Sequence, residues 1–139
     1  MTAIVDPTVE PTIPHCDRPT RLVVVADHRP GPHPTDSDQI EWWLPVLGPT
    51  SAALARILAR SVADSDAEWD TANLARRVGL GASCSRLWAS LERLHMFHVL
   101  TFISTDVVTI RLQLPKLRPG QLDVLPADLA EAYRAWLLQ

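Results

Sequence analysis

The chain has 139 residues, of which 47% are hydrophobic and 21% charged, with a formal net charge of −3; these are the proportions of one globular domain of ordinary size plus a tail. No apolar run approaches the roughly 20 residues that a membrane helix needs. The opening MTAIVDPTVEPTIPHCDRP carries acids and prolines where a signal peptide has basic and then apolar residues, so a cytoplasmic protein without a membrane partner is expected.

Seven of the 12 prolines fall within the first 34 positions. Each fixes its own φ and pushes its predecessor out of the helical region. Residues 1–39 therefore read as a proline-rich, largely disordered arm. The β-branched run RLVVVA at 21–26 is the exception, a short strand that can add to a sheet edge. The two cysteines, Cys16 and Cys84, lie in different kinds of segment, and two reduced thiols are expected in a cytosolic protein.

The ordered domain is expected over 40–139. Trp42 and Trp43 sit beside Leu44, Val46 and Leu47, with Pro45 and Pro49 preventing one long helix. Thr50 or Ser51 then caps a helix to about Ala63, whose Leu54, Ile57, Leu58 and Val62 form one inward stripe. DSDAEWD reads as a loop, with Trp69 folding back onto the body. Thr71 is the expected N-cap of a second helix through Val78, with Leu74, Ala75 and Val78 facing inward. Gly79 suits the left-handed residue that ends a helix, and Gly81 loosens the turn. Ser83 or Ser85 caps a third helix whose Leu87, Leu91 and Leu94 recur at helical spacing. Strand-like runs at 99–103 and 107–112 flank the hairpin-sized Ser104-Thr105-Asp106. Pro126 opens a final helix to about Leu138 with Leu129, Tyr133, Trp136 and Leu137 on one face.

Charge is segregated along this order. Residues 71–118 hold seven basic residues against two acids, a net of +5, while the remainder of the chain carries −8. A local positive excess of this kind is the electrostatic footprint of nucleic-acid binding.

NLARRVGL, then SRLWASLERL, then a strand pair resembles the winged helix-turn-helix of bacterial and phage transcription regulators. The chain is also similar to uncharacterised winged-helix proteins of high-GC bacteria that share a Trp-bearing third helix and an ending like PADLAEAYRAWL. The resemblance covers roughly residues 45–138. It implies a mainly α fold with a small β-sheet: three helices, a β-hairpin wing and a C-terminal helix. It further implies double-stranded DNA as partner, a homodimer, and a role in transcriptional control. Its third helix would enter the major groove, turning Ser85, Arg86, Ala89, Ser90 and Arg93 toward the bases, with Arg76 and Arg77 at the phosphates. The candidate DNA-contacting set also takes in Thr71 and Ser83 at the helix starts, and Arg111 and Lys116 in and after the second strand. In three places the sequence departs from the family: GLGASCS lengthens the turn, the tip STD has an acid and no base, and His98 stands where glycine is frequent.

Each signal has a second reading. Winged helices also serve as protein-protein adaptors, which the acidic remainder and the surplus tryptophans favour. Trp88 is read as packing beneath the hairpin, the alternative being a partner interface, where tryptophan is enriched. Trp42 and Trp43 cannot easily both be buried, so one marks an interface. The closing helix either completes the monomer core or, the favoured choice, pairs across a dimer two-fold. Trp42, Trp43, Tyr133, Trp136 and Leu137 are accordingly the candidate interface residues.

No metal, cofactor or enzymatic activity is expected. Cys84 and His95 would be about 16 Å apart on a continuous helix, too far to share an ion. His95 and His98 make only two ligands, and His15, Cys16, His28 and His33 lack zinc-type spacing. There is no phosphate loop, nucleophile elbow, or carboxylate pair beside a histidine.

Overall fold

The computed structural model describes residues 18–81 and 83–139; the first 17 positions, with His15 and Cys16, and Ala82 lie outside the described residues. The fold is mixed α/β, helical in large part, with a small four-stranded sheet. Strand β1 (Arg21–Asp27) is followed by a two-residue β2 (His33–Pro34), a 3₁₀ helix (Asp38–Trp43), α1 (Leu44–Leu47) and α2 (Pro49–Ser61). Then come β3 (Ala67–Asp70), α3 (Thr71–Arg77), α4 (Cys84–Met96), β4 (Leu100–Phe102), β5 (Val107–Arg111), β6 (Gln113–Leu114), α5 (Pro119–Leu122) and α6 (Ala127–Leu137).

The sheet order is β3-β1-β5-β4, with β1 antiparallel to β3 and parallel to β5, and β4 antiparallel to β5. The segment expected to be a disordered arm with an edge strand therefore supplies an interior strand of the sheet. Leu22 and Val24 are fully buried, and Val23 and Val25 on the opposite face are half-buried. A continuous run of valines, rather than an alternating pattern, marks a strand covered on both faces. The boundary at Ile40 fails for the same stretch. His33 and Thr35 have no accessible surface, and Thr35 donates its N–H to the Leu112 carbonyl at 2.9 Å and its hydroxyl to the Arg111 carbonyl at 2.6 Å.

Other expectations shift locally. α2 begins at Pro49, in the first turn where a missing N–H costs nothing, and ends at Ser61, so Thr50 and Ser51 are inside the helix and cap nothing. DSDAEWD contributes strand β3 as well as a loop, because Ala67–Asp70 finds β1 as its partner. Trp69 does fold back, its indole N–H donating to Ser61 Oγ at 3.3 Å. Periodicity gives no sign of α5, a single turn: Pro119 lies at its start and the Arg118 N–H donates to the Gln121 side-chain oxygen at 2.8 Å.

The core lies between α2, α4 and the sheet, with Leu54, Leu58, Leu87, Leu91, Leu94, Val108 and Ile110 all without accessible surface. Trp88 joins it, stacked on Phe102 of β4 with ring centroids 6.2 Å apart, so it packs beneath the hairpin. α6 closes the other side. Tyr133 is fully buried against His33, which it meets through its hydroxyl at 2.8 Å, and the Leu117 N–H donates to that same hydroxyl at 2.9 Å. The dimer role favoured for this helix is corrected for Tyr133, which is spent on the monomer core. Trp43 is corrected with it, being 1% exposed. Trp42, Trp136 and Leu137 are half-buried against the same core, Trp42 meeting Tyr133 edge-on at 5.2 Å. Among the described residues no helix is long and apolar enough to cross a membrane.

Candidate nucleic-acid interface

The helix pair at 71–96 is built from its inward residues. Leu74 and Ala75 of α3 and Leu87, Leu91 and Leu94 of α4 are buried and bring the two helices together. Between them Gly79 has φ +82° and Gly81 φ +64°, a left-handed backbone that glycine takes without a Cβ clash. Ser83 then caps α4, its Oγ accepting the Arg86 N–H at 3.3 Å. The cap and the four- and three-residue leucine spacing leave Ser85, Arg86 and Ala89 exposed on the outward face.

The other expected contact residues divide. Arg76 and Arg77 are exposed, Arg77 lying over the Trp69 ring at 5.3 Å. Thr71 is not available: it is 7% exposed, is itself helical rather than the N-cap, and its hydroxyl donates to the Pro19 carbonyl at 3.4 Å. Ser90 is half-buried, its carbonyl accepting the Ser51 hydroxyl at 3.3 Å. Arg93 is exposed on the same helix face as Arg86, but its guanidinium is engaged, donating to the Val46 carbonyl at 2.7 Å and lying over Phe97 at 5.5 Å. Arg111 is 8% exposed and donates to the Gln113 and Pro30 carbonyls at 2.9 and 3.0 Å. β5 runs from the hairpin tip to Arg111 over four residue steps, about 13 Å at 3.3 Å each. Arg111, and Lys116 beyond it, thus belong to the base of the hairpin and not to the tip.

Neutralisation separates the cations further. Arg18, Arg21, Arg29, Arg56 and Arg60 each have a carboxylate partner, whereas among the described residues no ion pair involves Arg76, Arg77 or Arg86. Arg18 is a participant that the sequence pattern does not reveal. Its guanidinium sits 5.2 Å over the Trp88 ring and 2.5 Å from Glu92, the single acid of α4. A partner 74 positions distant leaves no signal in spacing.

Cys84, at the first position of α4, is disulfide-bonded, where a reduced thiol was expected. Among the described residues no group of three His, Cys, Asp or Glu side chains is placed to hold a metal ion.

Comparison with protein-family models, with curated proteins and with solved structures finds no match to this chain.

Proposed function

We propose that this chain is a winged helix-turn-helix protein that binds double-stranded DNA in transcriptional control, with α4 as its recognition helix. The observation that carries the reading is the outward face of the α3–α4 pair: Arg76, Arg77 and Arg86 are exposed without a carboxylate partner among the described residues, while the arginines of β1 and α2 are ion-paired. The order of three helices, hairpin and closing helix supports it as well. In this reading Arg86 reads a base edge and Arg76 and Arg77 meet phosphates. With only Arg76, Arg77 and Arg86 assigned to DNA in this reading, a second copy on a paired half-site supplies the remaining affinity.

A salt titration of binding to duplex DNA tests this. Removing one phosphate-neutralising arginine should flatten the slope of log K against log salt by about 1. Arg76→Ala should do so uniformly across sequences. Arg86→Ala should cost about 1–3 kcal/mol on a preferred sequence and relax preference there. Absence of binding at roughly 50 mM salt would sink the proposal and leave the second reading, a protein-binding winged helix. That alternative draws on Ile103 beside the wing tip, 62% exposed, and on Met96 at the end of α4, 66% exposed.

A further inference from the structure

At the base of the hairpin lies a cavity of about 340 Å³ that the DNA reading does not use. Four cations line it: Arg29 from the segment after β1, Arg111 from the end of β5, and Lys116 and Arg118 from the segment leading to α5. Among the described residues no carboxylate lines it. Asp27 neutralises Arg29 through a pair of hydrogen bonds, its Oδ2 2.6 Å from Nη2, but among the described residues no ion pair involves Arg111, Lys116 or Arg118. Arg111 is more than nine-tenths buried, and its hydrogen-bond partners are backbone carbonyls. Burial and the nearby Arg29 charge pull its pKa below the ordinary arginine value, with Asp27 opposing. Among the described residues, like charges are thus gathered in a recess where only Arg29 is ion-paired.

Two further features belong to wall residues. Trp43 lines the cavity, is 1% exposed, and its indole N–H has no hydrogen-bond partner among the described residues. His98, also on the wall, holds φ +63°, a left-handed conformation that non-glycine residues adopt at a cost. Phe97, Trp43 and Pro115 add an apolar wall beside the cations. The volume is at the small end for ligand sites.

We propose that this cavity binds a small phosphate monoester, the phosphate held by Arg111, Lys116 and Arg118, and a flat or apolar substituent resting on Trp43 and Phe97. Guanidinium and ammonium donors make charge-assisted bonds to phosphate oxygens, with arginine able to pair two at once. The site is independent of the α4 outward face, since Arg86 and Met96 are separated by about 15 Å along the helix.

Phenyl phosphate is the probe, titrated into the full chain while the Trp43 indole N–H is followed by ¹⁵N NMR. Saturable binding with a shift of that resonance is expected. The double change Lys116→Gln/Arg118→Gln, at two exposed positions, should weaken it by at least about tenfold, the effect of removing one charge-assisted hydrogen bond, while Arg86→Gln leaves it unchanged. A Trp43 resonance unmoved at millimolar probe in the unaltered protein overturns the proposal. So does equal affinity in the double variant. Displacement of the probe by duplex DNA, with the double variant losing DNA affinity in parallel, would make the recess a DNA-phosphate contact and overturn it too.

Discussion

Replacing Tyr133 by phenylalanine removes one oxygen from the contact that joins the N-terminal segment to α6. That oxygen accepts the Leu117 N–H at 2.9 Å and lies 2.8 Å from His33 Nε2. Burial favours the neutral His33 ring; with its Nδ1–H donating to Gln39 Oε1 at 3.1 Å, Nε2 is the acceptor and takes the Tyr133 hydroxyl proton. Tyr133→Phe keeps the ring packing but orphans a donor and an acceptor at positions 5% and 0% exposed. Each buried unpaired group costs about 1–3 kcal/mol, so the variant should lose about 2–4 kcal/mol. Against a typical total of about 5–15 kcal/mol, that is a large fraction, and Tm should fall by roughly 10 °C. Urea unfolding followed by tryptophan fluorescence measures it, provided the m-value stays constant. A destabilisation below about 0.5 kcal/mol, less than one net hydrogen bond, would refute the assignment of this hydroxyl as a bridge between the two ends of the domain.

Three more predictions share this stability assay. Burial holds the His33 pKa below its ordinary value, with the Gln39 contact acting in the opposite direction; the unfolded chain therefore takes up the proton first. Stability from this group should be complete above about pH 6.5 and fall as pH drops through the lower folded value, and His33→Gln should flatten the profile between about pH 7 and 5. Leu22→Ala, in a strand with no accessible surface at that position, should cost about 2–5 kcal/mol; a neutral result would return residues 21–27 to the status of a loose arm. Arg93→Ala should lower stability by about 1 kcal/mol by removing its bond to the Val46 carbonyl while leaving DNA affinity close to that of the parent, in contrast to Arg86→Ala, and equal effects on DNA binding from both would contradict a guanidinium held by Val46.

The amphipathic helices were legible because their physics is local. Leucines at 87, 91 and 94 face one way at 3.6 residues per turn whatever the rest of the chain does, and Ser83 caps α4 through a residue three positions on. The turn glycines and the hairpin have the same local origin. The DNA-facing set was legible only as far as the helix surface: Ser85, Arg86, Ala89 and Arg93 are exposed, but Thr71, Ser90, Arg93 and Arg111 bond to Pro19, Ser51, Val46 and Pro30 in ways that no spacing rule encodes.

Composition and periodicity by themselves determined three amphipathic helices, a hairpin, a closing helix and a concentration of positive charge between residues 71 and 118. Tertiary structure alone decided where the N-terminal segment belongs. Prolines at 30, 32 and 34 exclude helix there, but they do not exclude an extended chain that finds partners, and β1 is hydrogen-bonded on both sides, to β3 and to β5. Tertiary structure also decided the fate of Trp43 and Tyr133, apolar residues suited equally to an interface or a core. The physical reason is common to both: a buried strand and a buried aromatic are defined by what covers them, and partners such as Ala67 for Val24 and His33 for Tyr133 lie 43 and 100 positions away.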